Sequence, residues 1–139
     1  MNYKHILVAL ELTDESKVLI DKATYLAKLT NAEVSFIHID GSHGEIYPEV
    51  VDLQADTNHP PFGEHTIEQI RAFESYSSVP VKRILMGTGD LADKLAATIE
   101  ENDVDLLLCG HHHDFWSKIV SYSKHLVDSS PVDILVVPI

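Results

Sequence analysis

The sequence predicts an α/β fold, a single-domain open parallel sheet of five strands with helices on both faces. Short β-rich apolar runs alternate with amphipathic helical segments along the chain, a succession typical of parallel sheets with right-handed crossovers. One run, Asp105–Cys109, is continuously apolar after its first residue, as in a strand buried on both faces. No repeat or linker divides the 139 residues, so one domain over residues 1–139 is expected.

Five strands and four helices are expected in alternation. The strands are Tyr3–Leu10, Ala32–Asp40, Val81–Met86, Asp105–Cys109 and Val132–Pro138.

The helices are indicated by capping residues and by apolar side chains at helical spacing. Thr13, followed by two acidic residues, predicts the first helix start, and Asn31 its end. A weaker helix is expected near 64–77, a third begins after Asp90, and Asp114 can cap a fourth. The connection 41–63 holds three prolines and has no regular period, and connections this long are usually functional or mobile.

The composition narrows the classes of partner and compartment. Ten basic and twenty-two acidic residues give a net charge of −12 at pH 7, which argues against nucleic acid and anionic membranes as partners. No apolar run approaches the roughly 18 residues that a membrane span needs. A single cysteine, Cys109, rules out an intrachain disulfide and fits a reducing compartment. We therefore expect a cytoplasmic protein, with Cys109 as an inert small hydrophobic residue.

Three stretches resemble those of a known family. They are 3–9 (YKHILVA), 105–118 (DLLLCGHHHDFWSK) and 132–138 (VDILVVP). These residues resemble the bacterial universal stress proteins, particularly the enteric A-type, and the resemblance covers the whole chain in order, weakest over 41–63. It implies strand order 3-2-1-4-5 and a non-catalytic role in survival under growth arrest or damage. It also implies phosphorylation on serine or threonine, and dimerisation through the last strand with a second copy or a paralogue.

ATP-binding members of that family carry Gly-x2-Gly-x9-Gly-Ser/Thr, whose glycines let backbone amides approach phosphates. Gly110 keeps the first glycine, but the second falls on His113 and the third on Ser123. The Ser/Thr position falls on Lys124, and Glu11 keeps the acidic position that ends the first strand. The resemblance therefore implies no ATP binding of the usual kind and no cofactor. An ATP-binding stress switch or weak ATPase stays open as the alternative.

Other motifs give no catalytic residue. The segment 87–92 (GTGDLA) matches a dinucleotide fingerprint, but it follows the third strand, and no acid ends the next strand. The chain has neither a Gly-x4-Gly-Lys-Ser/Thr loop nor a Gly-x-Ser-x-Gly elbow. We therefore expect a protein that is not an enzyme.

Three histidines, His111–His113, precede Asp114, and imidazole and carboxylate suit zinc, nickel or copper. Adjacent histidines on a turn do not easily all face one ion, so a structural turn is favoured and no metal is predicted. A metal- or pH-responsive histidine module is a further alternative, because the chain has nine histidines.

The last strand predicts self-association. In the expected order it lies at a sheet edge, where backbone N–H and C=O groups are unpaired, and proteins usually blunt such an edge with lysine, a central proline or a bulge. This strand has proline only at its ends. Pairing with its own copy about a two-fold axis would cover it. The expected interface residues are Val132, Ile134, Leu135, Val136 and Val137.

Overall fold

The structure is a computed structural model, and it describes residues 3–40, 50–54, 63–110 and 132–139. The helix expected from Asp114 lies outside these residues. The elements in chain order are β1 (His5–Ala9), α1 (Ser16–Thr30), β2 (Glu33–Asp40), β3 (Val51–Asp52), α2 (Glu64–Tyr76), β4 (Val81–Thr88), α3 (Leu91–Glu101), β5 (Leu106–Gly110) and β6 (Asp133–Val137).

The strands form one sheet in the order β3-β4-β2-β1-β5-β6. The five longer strands pair in parallel, in the order that the resemblance implies. The expected number of five strands is wrong by one, because β3 adds a sixth strand antiparallel to β4. With only two residues, β3 is too short to produce an alternating pattern in the sequence.

The sheet has a helix-covered core on each face, as predicted. Along β1, Ile6 and Val8 pack on one side, and Leu7 and Ala9 on the other. The first side, here called the α1 face, is covered by side chains of α1 and α2, and the second, the α3 face, by α3. The helical residues in these cores are Leu19, Ile20, Ala23, Ala27, Ile70 and Phe73 on the α1 face and Leu91, Leu95 and Ile99 on the α3 face.

Helix α1 ends where the sequence predicts and starts later. Asn31 adopts the left-handed conformation at φ 59° and donates its N–H to the carbonyl of Ala27, a common C-terminal stop. Thr13 lies before the helix, in a tight turn in which the carbonyls of residues 13–15 accept from the N–H groups of residues 16–18 at 3.1 Å. Glu15 occupies the N-cap position with no side-chain hydrogen bond.

Candidate functional site

The carboxyl ends of the parallel strands β1, β2, β4 and β5 lie at the same end of the sheet, here called the strand-end edge. Ligands bind at this end in open α/β folds. Strands β1 and β5 are neighbours, so their last residues bring Glu11 and Gly110 to the same end. Asp40 ends β2, and its carbonyl accepts from Gly89, just after β4, at 3.1 Å. The other predicted loop positions, His113, Ser123 and Lys124, lie outside the described residues.

The backbone of Glu11 is fixed by the first residue of α1. The N–H of Glu11 donates to the Ser16 hydroxyl at 3.1 Å, and that hydroxyl donates to the Glu11 carbonyl at 2.7 Å. Ser16 is fully buried, and this reciprocal pair satisfies its hydroxyl together with the N–H and C=O of Glu11. The turn after β1 is therefore rigidly attached to the helix.

Gly110 has a packing role that the sequence does not reveal. A Cβ atom there would lie 2.4 Å from Cδ1 of Ile139 and 3.7 Å from Cδ1 of Leu19. The space beside Gly110 on the α1 face is thus filled by side chains. A side chain at this position would have to displace the end of Ile139, so packing favours glycine here whether or not a phosphate ever approaches it.

The glycines of the 87–92 segment are also explained by local structure. A Cβ at Gly87 would approach Ile39 to 3.1 Å and Val50 to 3.2 Å, and Gly89 has φ 104°, which favours glycine. Asp90 then caps α3 by accepting from the N–H of Asp93 at 3.0 Å. This segment closes a strand-to-helix turn.

A buried polar network at the opposite end of the sheet was not predicted. His5 Nδ1 donates to the carbonyl of Asn102 at 2.8 Å, and Nε2 lies 2.7 Å from the Ser35 hydroxyl. Asp105 accepts from the backbone N–H groups of Lys4 at 2.9 Å and His5 at 3.1 Å. The one signal in the sequence is a histidine within an otherwise apolar strand. Both nitrogens of this ring are satisfied within the core, so its role is structural.

The described residues hold no reactive thiol or metal cluster. Cys109 is fully buried, and burial raises the pKa of its thiol to about 12, so thiolate is scarce near neutral pH. No cluster of three or more His, Cys, Asp or Glu side chains that could hold a metal lies among the described residues. The predicted histidine turn at 111–113 lies outside them.

The edge strand β6 is placed as expected, beside β5 and at the end of the described sheet. Val137 is only 4% exposed and belongs to the protomer's own core. The other expected interface residues, Val132, Ile134, Leu135 and Val136, are half-buried. Leu135 packs on the α1 face, and the other three on the α3 face. Val137 is therefore held within the protomer, whereas the other four predicted interface residues stay partly exposed.

An apolar groove of about 540 Å³ runs beside this edge, lined by Tyr3, Leu26, Leu106 and residues 132–135. At its rim, the Tyr3 hydroxyl donates to the Asp133 carboxylate at 2.8 Å. This hydrogen bond, with some burial, raises the pKa of Tyr3. The groove therefore has mostly apolar walls, with one hydrogen bond between a tyrosine and a carboxylate at its rim.

The sheet, its crossovers and its strand-end edge define an open, doubly wound α/β domain. Within that class, residues 2–138 match the Universal stress protein family, and the chain belongs to this family. It is 41% identical to Universal stress protein A of Yersinia pestis, over the whole chain and 94% of that relative. It is 39% identical to the protein of the same name from Escherichia coli K12, over the whole chain and 96% of that relative. The family gives the chain a role in the stress response.

Solved structures of the family share this fold. Universal stress protein UspA from Lactobacillus plantarum superposes with a TM-score of 0.62 at 17% identity, covering 99% of each chain. A universal stress protein in complex with cAMP gives 0.60 at 18% identity, covering 99% of this chain and 98% of that one. At such identities the likeness establishes the fold alone. No helix in the described part of the chain is long and apolar enough to cross a membrane.

Proposed function

We propose that this protein is a cytoplasmic, non-catalytic stress-response and survival factor that acts as a homodimer and does not bind ATP in its family's usual way. One observation supports the nucleotide part most directly. His113 and Ser123 stand where ATP-binding relatives have glycine, and Lys124 stands at the Ser/Thr position. Side chains there occupy space in which phosphates would approach backbone amides.

The presence of Gly110 at the first glycine position is compatible with this proposal. Gly110 is favoured by its contact with Ile139, so packing offers a reason for its presence that does not involve a phosphate. Glu11 remains at the end of β1, but an acidic residue without the glycine loop lacks the donors that hold phosphates.

The shifted pKa values among the described residues support a non-catalytic role. Hydrogen bonds raise the pKa of Tyr3 through Asp133 and that of Tyr76 through Asp21. Lys82 lowers the pKa of Glu33 at the start of β2, far from the strand-end edge. Active sites usually hold groups tuned toward reaction, whereas these three shifts follow from surface hydrogen bonds and the raised pKa of Cys109 follows from burial in the core.

The alternative is an ATP-binding switch or weak ATPase, and the relative solved with cAMP is the observation that favours it. Titration calorimetry of the purified protein with Mg-ATP, and separately with cAMP, tests the nucleotide part. We expect no heat of binding at micromolar protein concentration. A micromolar dissociation constant for Mg-ATP would overturn this part of the proposal.

A glycine-restored variant sharpens this experiment. His113→Gly, Ser123→Gly and Lys124→Ser together rebuild the relatives' pattern, and we expect measurable Mg-ATP binding in this triple variant. His113→Ala with Ser123→Ala is the matched control, because it shortens the side chains without restoring glycine. If the triple variant binds no better than the control, the missing glycines are not the reason for the lack of binding.

The homodimer part is supported by the edge strand β6, which carries three half-buried apolar side chains at the end of the described sheet, with the half-buried Val132 just before it. An apolar edge of this kind would pair with other chains unless covered, and a second copy covers it with closed symmetry. Light scattering at micromolar concentration should give the mass of a dimer. A wild-type monomer would contradict this part.

A further inference from the structure

Residues 50–54, here called the clip, contain β3 and connect the edge of β4 with α2. Strand β3 is two residues long, whereas the other strands of the described sheet have five or eight residues. Residues 41–49 separate the clip from β2 in the sequence, and residues 55–63 separate it from α2. The clip is therefore held by its own contacts rather than by continuity with a neighbouring element.

One side chain of the clip is fully buried. Leu53 is 2% exposed and lies in the core of the α1 face, in the same cluster as Ile70 and Phe73 of α2. Its N–H donates to the carbonyl of Ile84 at 2.8 Å. The other four residues of the clip are half-buried, so this leucine is its one fully buried anchor.

The residue before the leucine binds β4 through its carboxylate. Asp52 accepts the N–H of Ile84 at 3.2 Å, where a regular antiparallel neighbour would offer a backbone carbonyl. Its other carboxylate oxygen lies 3.6 Å from Nη1 of Arg83. This position therefore favours an acidic residue.

The residue after the leucine binds both β4 and α2 through its amide. The Gln54 side chain donates to the carbonyl of Val81 at 2.8 Å and to the carboxylate of Glu74 at 2.9 Å. Arg71 of α2 donates from Nη2 to the carbonyl of Leu53 at 3.2 Å. The surface under the clip thus has a separate partner for each of an acid, a leucine and an amide in succession.

We propose that this surface is a peptide-binding site and that the clip is an autoinhibitory contact that fills it. The partner is an extended segment of another protein that carries an acidic residue, a leucine and a side-chain amide in succession, antiparallel to β4. The clip identifies this chemistry, because its own residues occupy the site in that order. Strand addition of this kind combines backbone hydrogen bonds with pockets for side chains. The site lies at the opposite edge of the sheet from β6 and does not depend on the proposed homodimer.

The contacts that hold the clip fit reversible opening. The side chains of Arg71 and Arg83 are 40% and 44% exposed, and exposed ion pairs contribute little to stability. A segment with one buried apolar side chain and partly exposed hydrogen bonds opens more readily than the core. Opening leaves an apolar slot where Leu53 was, and it leaves the N–H and C=O of Ile84 without partners. A foreign strand with the same three side chains satisfies all of them.

A fluorescein-labelled peptide of residues 49–56 (EVVDLQAD) is the probe for this site. In the wild type the clip competes with the peptide from within the same molecule, so binding is weak. Leu53→Ala removes the buried anchor of the clip and leaves the slot empty. We expect fluorescence polarisation to show that the peptide binds this variant about tenfold more tightly than the wild type, because the open fraction is larger.

Two controls separate the slot from general destabilisation. The same peptide carrying Leu53→Ala should bind the Leu53→Ala protein about tenfold more weakly than the native peptide, because it cannot fill the slot. Leu91→Ala removes a buried leucine from the α3 face, in the other core of the protein. This variant should bind the native peptide no better than the wild type does.

Hydrogen exchange of the wild type tests the opening itself and needs no variant to fold. The amides of Leu53 and Ile84 should exchange about tenfold faster than that of Val8 in the centre of β1, and low urea should change their rates little. Exchange of all three amides through global unfolding alone would overturn the proposal.

Two results with the peptide would also overturn it. Equal affinity of the Leu53→Ala protein for the native and the substituted peptide would show that there is no leucine slot. In light scattering, a wild-type mass that rises with concentration and falls when the native peptide is added would mean that the clip of a second copy fills the site. The site would then serve this chain and not a foreign partner.

Discussion

The two edges of the sheet are closed in different ways. At one edge, residues 50–54 cover β4. The N–H of Leu53 donates to the carbonyl of Ile84 at 2.8 Å, and the Asp52 carboxylate accepts the N–H of Ile84 at 3.2 Å. The side-chain amide of Gln54 donates to the carbonyl of Val81 at 2.8 Å. At the other edge, the described residues place no strand beyond β6.

The difference shows how one sheet can both prevent and permit strand addition. At the edge formed by β3, here called the covered edge, the strand is only two residues long. Side chains of Asp52 and Gln54 form hydrogen bonds with the backbone of β4 in place of a longer strand. Few backbone groups of β4 therefore remain for a further strand.

The covered edge also carries charge, with Lys82 2.6 Å from Glu33 and Arg83 3.6 Å from Asp52. Short, charged edges of this kind resist pairing. Within the described residues, Asp133 is the one protection of this kind on β6.

The largest effect, on dimer stability, is expected from placing a charge on the edge formed by β6, here called the bare edge. Val136→Lys would place an unpaired ammonium on the half-buried α3 face beside the expected second copy, which costs about 3 kcal/mol or more and weakens the dimer about a hundredfold. Light scattering should show monomer or soluble aggregate at micromolar concentration. Leu29→Lys is the control, because Leu29 is 66% exposed on α1. An unchanged Val136→Lys dimer would show that β6 is not the interface.

A smaller effect is expected at the covered edge. Asp52→Ala removes the acceptor for Ile84 and for the N–H of Gln54, which lies 3.1 Å from Asp52. We expect a loss of about 2 kcal/mol in the free energy of unfolding, measured by urea denaturation, with more aggregation because β4 is uncovered.

Asp52→Asn is the matched variant, since it keeps the Oδ1 acceptor while removing the charge. It should lose less than half as much stability as Asp52→Ala. If both variants lose the same amount, the carboxylate acts through its charge near Arg83 and not as a substitute for a strand.

A third effect concerns packing beside β6. Gly110→Ala would drive a methyl group against Cδ1 of Ile139, and we expect a cost of about 1 kcal/mol because the end of that side chain can move. Combining it with Ile139→Ala should cost less than the sum of the two single changes. Additive costs in urea denaturation would contradict the packing role of Gly110.

The sequence predicts those features of the fold that depend on residues close together in the chain. The apolar runs indicate the parallel strands, and the family resemblance implies their order. Asn31 ends α1 through its left-handed backbone, and Asp90 begins α3 through its side chain. The covered edge was not predicted, because β3 pairs with residues of β4 that are distant in the sequence. The motif indicates Gly110, but its contact with Ile139 belongs to tertiary packing.

The candidate site was predictable only in part, for the same reason. Glu11 and Gly110 are brought together because β1 and β5 are neighbours, which topology predicts. The buried ring of His5 depends on Ser35 and Asn102, residues 30 and 97 positions away. A periodic pattern carries no information about such pairs.

The smallest effect comes from the hydrogen bond at the rim of the bare edge. Tyr3 donates to Asp133, and this bond raises the pKa of Tyr3 above its usual value of 10.0. The protonated phenol is therefore favoured in the folded state. Its contribution is fully present below pH 10 and is lost as the pH rises through the raised value.

Tyr3→Phe should therefore lower the free energy of unfolding by about 0.5 kcal/mol near neutral pH, a small amount because the pair is exposed to solvent. The gap between wild type and variant should close above pH 10, as the wild-type phenol ionises beside the Asp133 carboxylate. Urea denaturation of both proteins from pH 7 to 11 measures this gap and cancels the titration of other groups. A gap that widens with pH would mean that the hydroxyl does not donate to Asp133.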